Sequence, residues 1–301
     1  MNKQKIIIIA GPTGVGKTAL SIEVAKTYNC EIIGADCIQV YKELDIGSAK
    51  ITEKEKEGIK HHLIDIIEPT ATYSAGDYVS QAKQAINDIY KQNKVPLIVG
   101  GTGMYIQSLL FDIGASCGRD DEFRKELEQQ AKNGVNLHDK LKEVDPESAD
   151  KIHPNHLSRI IRALEIYHLT GLPKSKQKNS TESNYNYLLI GLTADREILY
   201  NRINKRVDKM VDSGLLDEVQ HLIDNGITLE NQCMQGIGYK EPYAFLKGKI
   251  SKQEFIELLK LNSRHYAKRQ LTWLRKMPNI IWKTYEQKQD IFELIDKFLK
   301  N

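Results

Sequence analysis

Cysteine is scarce in this chain of 301 residues, and the four present (Cys30, Cys37, Cys117 and Cys233) stand at no paired spacing. That pattern excludes a zinc-ribbon ligand set and a disulfide framework, and it points to a reducing, cytoplasmic setting. Long hydrophobic runs are missing as well. The longest apolar stretches fall far short of the roughly 20 residues that span a bilayer, so no membrane partner is expected. Met1-Asn2-Lys3-Gln4-Lys5 leads directly into a β-prone run, without the apolar stretch of a secretory signal. Neither sign of charge dominates: 43 Lys and Arg against 40 Asp and Glu leave a net charge of +3. Such a balance permits a nucleic-acid partner without demanding one, and evidence for it has to come from local clusters. No internal repeat or low-complexity tract is present. With 41% hydrophobic residues, the chain can bury a substantial core in one large domain that carries an insertion.

What is present begins at Ile6. Four isoleucines and Ala10 run into Gly11-Pro12-Thr13-Gly14-Val15-Gly16-Lys17-Thr18, and a helical pattern follows (Ala19, Leu20, Ile22, Val24). A strand, a glycine-rich turn and a helix in this order form the context of a P-loop. Glycines let consecutive backbone N–H groups curl around an anion without an obstructing Cβ. The helix N-terminus points its positive end at that anion. Residues 11–18 are therefore the expected diphosphate cradle, with Lys17 as the full charge and the Thr18 hydroxyl as a ligand for Mg²⁺.

Strand-like runs are expected at about 5–10, 30–35, 62–67, 95–100, 187–192 and 279–283, separated by helical patterns such as 17–28 and 75–92. The alternation implies an α/β fold: a P-loop NTPase-like, mostly parallel sheet with helices on both faces. Residues 116–188 break the rhythm, being charge-rich, strand-poor and helical in period, and read as an all-helical insertion domain. The expected organisation is 1–115 as the first part of the core, 116–188 as the insertion, and 189–301 as the remainder with a long basic helix at about 251–276.

A second absence is informative. P-loop ATPases carry a strand ending in an acid that orders Mg²⁺ and water, whereas Val95–Gly100 runs into Gly101-Thr102-Gly103. The acid at a strand end is Asp36. Ligands in doubly wound sheets bind beyond the carboxyl ends of strands, so Asp36 and Thr102 are expected to converge on the P-loop, unless both merely cap turns. A carboxylate beside a diphosphate and not needed for metal is suited to accepting a proton from a nucleophile. Adjacent His61 and His62 do not suggest a metal site, because neighbouring residues on a strand point to opposite faces.

GPTGVGKT, ADCIQVYKELDIGSAK, HHLIDI, VGGTGMY, DPESADKIHPN, RALEIY, GIGYKE and AKRQLTWLR occur in this order over about residues 5–276. Together they resemble the tRNA dimethylallyltransferase family. The resemblance implies transfer of a five-carbon allyl group from dimethylallyl diphosphate to N6 of the adenosine just 3′ of the anticodon, in tRNAs that read codons beginning with U. It also implies a P-loop that holds the substrate's diphosphate without hydrolysing a nucleotide. The expected catalytic set is Asp36 as proton acceptor, Thr102 beside it or the bridging oxygen, Lys17, and Arg206 as a second diphosphate clamp if it is not a solvated helix charge. Where the family usually has Ser after the key Asp, this chain has Cys37, a weaker hydrogen-bond donor.

The resemblance also implies where the tRNA anticodon stem-loop binds. The target adenine has to leave its stack, which calls for cations along the backbone and a pocket for the base. Asp36, Cys37, Ile38, Gln39 and Thr102 are expected around the adenine, with Gln39 contacting it. Arg124, Ser158, Arg159, Ile160, Ile161 and Arg162 in the insertion are expected on the RNA, as is the glycine-containing turn Gln235, Gly236, Ile237, Gly238, Tyr239 and Lys240. In the late helix, Arg264, Lys268 and Arg275 share a stripe, which is either an RNA contact or a solvated face, while Tyr266 and Trp273 are expected as core anchors. Lys174, Lys176 and Lys178 form a charged loop. The expected protein is a monomer. A P-loop kinase and a nucleotide switch are the alternatives. The kinase leaves the insertion and the basic stripe unexplained, and the switch lacks a guanine-reading N-K-x-D pattern.

Overall fold

The computed structural model describes residues 3–112, 118–177 and 182–300. Cys117 and Lys178 lie outside them; Cys30, Cys37 and Cys233 are free thiols. Six strands form one sheet: β1 (Lys5–Ala10), β2 (Cys30–Ala35), β3 (His61–His62), β4 (Val95–Gly100), β5 (Asn186–Thr193) and β6 (Ile280–Thr284). Their order is β3-β2-β4-β1-β5-β6, and every pairing is parallel. The sheet is thus wholly rather than mostly parallel. Ile6 to Ile9 are completely buried, as a strand covered on both faces requires.

The strand expected over 62–67 is confined to His61–His62. Leu63 and Asp65 take positive φ (60° and 57°), which ends the ladder, and Ile66 and Ile67 donate their N–H groups to the Val40 carbonyl instead. His62 Nε2 lies 2.6 Å from Glu31 Oε2, and His61 Nδ1 lies 2.8 Å from the Ile59 carbonyl.

The helices, in chain order, are α1 (Lys17–Thr27), α2 (Glu53–Lys56), α3 (Ala75–Lys91), α4 (Gly103–Phe111), α5 (Asp121–Lys132), α6 (Leu137–Val144), α7 (Pro146–Lys151), α8 (Leu157–Thr170), α9 (Arg196–Asp212), α10 (Leu215–Asp224), α11 (Lys240–Leu246), α12 (Lys252–Leu274) and α13 (Lys288–Lys300). Local chemistry fixes several starts. Ser74 with Asp77 closes a capping box on α3, and Ser251 with Glu254 does so on α12. Among the described residues no helix is long and apolar enough to cross a membrane.

Two compact units result: Met1–Leu110 with Ser183–Asn301, and Phe111–Glu182. The first contains the sheet. Its chain leaves central β1 for β2 and β3, returns to β4 beside β1, then crosses to β5 and β6. The direction of winding reverses at β1 and β4, so their carboxyl ends open the crevice in which such sheets bind ligands. The second unit is helical and packs Leu127, Leu137, Leu141, Ile152, Ile160, Ile161 and Leu164 into its own core. Its boundary falls before residue 188 because β5 already begins at Asn186.

Candidate active site

Beyond the carboxyl ends of β1, β2 and β4 lies a cavity of about 420 Å³, lined by Thr13, Lys17, Thr18, Asp36, Arg206 and the 235–238 turn among others. Gly16 precedes α1 with φ 103°, a conformation that strains any residue with a Cβ. Lys17 Nζ donates to the carbonyls of Gly11 (3.0 Å) and Pro12 (2.9 Å). Burial pushes its pKa down to about 8; the Asp36 carboxylate opposes that fall and Arg206 adds to it. Arg206 is no solvated helix charge. From α9 it donates to Thr13 Oγ1 (3.0 Å) and to the Ser48 carbonyl (3.4 Å), and burial lowers its pKa as well. Two cations thus flank the P-loop, with one carboxylate close enough to act on both.

Asp36 does two things. Its Oδ1 accepts from the N–H groups of Ile38 (2.9 Å) and Gln39 (3.3 Å), so it caps the turn after β2. Its second oxygen has no hydrogen-bond partner among the described residues and belongs to a side chain that lines the cavity. Thr102, after β4, accepts from Cys37 N–H at 3.2 Å and donates its own N–H to the Ala35 carbonyl. This stitch brings together two residues 65 positions apart. Burial raises the Cys37 thiol to about 11, and the neighbouring Asp36 charge adds to the rise. Cys37 is therefore a neutral thiol near pH 7 and no nucleophile. Gln39 gives its amide nitrogen to the carbonyls of Ser48 and Ala49, both at 3.2 Å.

The 235–240 turn closes another wall. A Cβ at Gly236 would lie 2.8 Å from Ile38 Cδ1, so the glycine lets the two segments touch. Gln235, Gly236, Ile237, Gly238 and Lys240 line the cavity, whereas Tyr239 is completely buried. Its hydroxyl donates to Glu218 Oε1 (2.9 Å) and accepts from Ser48 N–H (3.1 Å). Its side chain is a pin beneath the site, and with its main chain bonded to Gly236 and Tyr243 no part of the residue is exposed, so the expected RNA contact at Tyr239 does not hold.

Sequence reading missed Gln270. This buried α12 residue accepts from Thr13 N–H at 2.9 Å and donates to the Gly101 carbonyl at 3.1 Å. It therefore ties the P-loop tip to the turn that carries Thr102. The only signal for it was an uncharged polar residue amid the cations of AKRQLTWLR. The reading of its neighbours needs correction too. Tyr266 lines the cavity beside Thr102 and Cys37, and its pKa is raised well above the usual value by burial first and the nearby Cys37 and Asp36 second. Trp273 is 44% exposed and anchors no core. Arg264 is tied to Asn204 on α9 at 2.7 Å, while Lys268 and Arg275 are exposed.

In the helical unit, Arg124 grips Glu165 with two bonds of 2.7 and 2.6 Å, and Arg162 reaches the same carboxylate at 2.6 Å. Glu165 is completely buried. Burial alone would raise its pKa, but the bonds from Arg124, Arg162 and Asp120 N–H outweigh it and hold the value at about 2. Any RNA contact by Arg124 or Arg162 shares the guanidinium with this pair. Ile160 and Ile161 turn their side chains into the unit's core, leaving Ser158 and Arg159 exposed on α8. Lys174 lies close enough to Arg159 and Arg162 for their charges to lower its pKa, after burial.

Thr18 and Asp36 offer oxygens to the same cavity, and among the described residues no group of three or more His, Cys, Asp or Glu could hold a metal on its own. The Thr18 hydroxyl is a hard oxygen donor that suits a Mg²⁺ completing its shell with phosphate oxygens and water, which leaves the open Asp36 oxygen unclaimed by metal.

A family model described as IPP transferase matches residues 39–277. The tRNA dimethylallyltransferase of Bacillus licheniformis is 50% identical, with 98% of each chain covered. That of Bacillus subtilis is also 50% identical, over 93% of this chain and 90% of its own. The crystal structure of the full-length tRNA isopentenylpyrophosphate transferase of Bacillus halodurans superposes with a TM-score of 0.75 at 44% identity, covering 99% of this chain and 97% of that one. A eukaryotic dimethylallyltransferase acting on tRNA superposes with a TM-score of 0.81 at 33% identity, over 95% of this chain and 76% of that one. With a glycine-rich P-loop, a strand-end carboxylate and this degree of likeness over nearly its whole length, the chain belongs to the tRNA dimethylallyltransferase (IPP transferase) family.

Proposed function

We propose that this protein transfers the dimethylallyl group of dimethylallyl diphosphate to N6 of the adenosine 3′ of the anticodon (position 37) in tRNAs that read U-initial codons. The products are N6-isopentenyladenosine and diphosphate. The observation that carries the proposal is one cavity holding the P-loop, two cations and a carboxylate with an unengaged oxygen.

The exocyclic amine of adenine is a poor nucleophile, because its lone pair is delocalised into the ring. As the N–C bond forms and the allylic C–O bond breaks, the amine proton passes to Asp36 and the bonding electrons leave with the diphosphate. Lys17, Arg206 and the amides of residues 14–18 neutralise the charge that gathers on the leaving group. Thr102 holds the Asp36 turn through Cys37 N–H, which fixes the base relative to the P-loop. Mg²⁺ at Thr18 would supply further charge neutralisation on the diphosphate oxygens. The cavity-lining 235–238 turn and the cavity face of Gln39 are the surfaces we assign to the adenine. Lys240, Lys268, Arg275, Ser158 and Arg159 are assigned to the tRNA. The enzyme is proposed to act as a monomer in the cytoplasm.

The test is the mass of an anticodon stem-loop RNA after incubation with protein, dimethylallyl diphosphate and Mg²⁺, without ATP. One added C₅H₈ unit on the adenosine 3′ of the anticodon is the expected result. ATP turnover on a small acceptor, with the RNA unchanged, would instead establish a kinase.

A further inference from the structure

Trp273 occupies an unusual place for a large aromatic side chain. It is one of two tryptophans in the chain, and it stands 44% exposed on α12 next to the site. Its indole is seated against the backbone at Gly103. A Cβ on that glycine would lie 2.4 Å from the indole Cδ1 and 3.0 Å from Cγ. Gly103 follows Thr102 directly, so the ring rests on the turn that holds the Asp36 carboxylate in place. Along α12, Tyr266, Arg269 and Gln270 line the cavity, and Trp273 lies one turn further along the same stripe. The indole therefore continues the stripe of cavity-lining residues, with its pyrrole part against Gly103 and much of the side chain left bare.

The charge around it is of one sign. Residues 264–276 contain Arg264, Lys268, Arg269, Arg275 and Lys276 and no acid, and residues 101–111 contain no acid either. Among the described residues, Lys268, Arg269, Arg275 and Lys276 form no ion pair, and all four are exposed. Exposed apolar surface amid unpaired cations repels a second copy of this chain. It suits a polyanion with flat apolar bases, since base–aromatic stacking and phosphate contacts are how single-stranded nucleic acid is held.

We propose that Trp273 is a stacking platform for an unpaired base of the tRNA anticodon loop, next to the adenosine that enters the cavity. The proposal rests on the function proposed above. Pinned on Gly103, the indole loses little freedom when a base covers it, and a base held there fixes the strand as the neighbouring nucleotide turns inward. Exposed Met104, the residue after Gly103, borders the same surface.

Trp282→Phe leaves Trp273 as the sole indole and gives the test its signal. Titration with an anticodon stem-loop should quench that fluorescence in a saturable way, at the same midpoint as the anisotropy of fluorophore-labelled RNA. Trp273→Ala should weaken binding about five- to 140-fold, the range expected when one base stack is removed. Trp273→Phe should recover most of the affinity and Trp273→Leu little, which separates aromatic stacking from mere bulk. Gly103→Ala, which displaces the indole while keeping it, should weaken binding as well. Unquenched fluorescence with RNA bound, or unchanged affinity in Trp273→Ala, would overturn the platform. Fluorescence that changes with protein concentration before RNA is added would overturn it too, by assigning the face to a second copy. Prenyl transfer is measured on the same samples: transfer without quenching sinks only the platform, whereas neither binding nor transfer by the unaltered protein sinks the function as well.

Discussion

Lys17 sits where a buried cation faces a second cation across the P-loop. Burial lowers its pKa to about 8 despite the Asp36 carboxylate. The charge is present below that pH and lost above it, so affinity for diphosphate should fall as pH rises through about 8. A bound diphosphate favours the charged form, so binding should take up a proton. Calorimetric titration with diphosphate near that pH, in two buffers of different ionisation enthalpy, should register about half a proton per site, and well below it almost none. Equal heats after buffer correction at both pH values would remove Lys17 from this role. Asp36 calls for a different probe, because one of its oxygens caps the turn. Asp36→Ala would lose cap and base together, the cap alone being worth about 1 kcal/mol. Asp36→Asn keeps an acceptor for Ile38 and Gln39 and removes only the base. Its kcat should fall by roughly 10²- to 10⁴-fold while diphosphate affinity holds. Normal turnover in that variant would end the general-base assignment.

At the scale of elements, α12 does more than carry charge. Through Gln270 it fixes the P-loop tip at Thr13 and the β4 turn at Gly101. Gln270→Leu leaves the Thr13 N–H without its partner, at about 1–3 kcal/mol when buried, and takes one of two donors from the Gly101 carbonyl, which keeps Gly103 N–H. The cradle should loosen, raising KM for dimethylallyl diphosphate more than it lowers kcat. Gln270→Glu keeps the acceptor for Thr13 but sets a carboxylate against the Gly101 carbonyl. Its KM should improve as pH falls and the carboxyl group takes up a proton, whereas the Leu variant should show no such trend. Steady-state kinetics across pH compare the two, and matching profiles would reduce Gln270 to a packing residue. Helices α5 and α8 teach the converse lesson: Arg124 and Arg162 read as surface cations, yet both are paired with a carboxylate that is completely buried.

For the molecule as a whole, a net charge of +3 conceals a local concentration. Five cations and no acid fall within 264–276, and this segment should dominate the salt dependence of RNA binding. Lys268→Ala combined with Arg275→Ala should weaken stem-loop binding. The plot of log affinity against log salt should flatten by about 0.7–0.9 for each phosphate that the protein no longer neutralises. Filter binding over a salt series measures the slope, and an unaltered one would route the RNA elsewhere.

The sequence alone determined what is encoded locally. A run of aliphatics, a glycine turn and an amphipathic helix fix β1, the P-loop and α1 within about twenty consecutive residues, because hydrogen bonding and side-chain period there depend on near neighbours. A strand-end acid was legible at Asp36 for the same reason, and the long motifs carried the family. The sequence misjudged 62–67, where positive φ at Leu63 and Asp65 ends the strand early. Pairings between distant segments were decided only by the tertiary structure. Thr13 meets Gln270 across 257 positions and Arg206 across 193, and no spacing rule reaches so far. The same holds for Glu165, which claims Arg124 from 41 residues away, and for Trp273, whose place on Gly103 turned an expected core anchor into surface. Periodicity assigns a side chain to a face of its helix; whether that face meets protein, a cavity or water depends on what the rest of the chain packs against it.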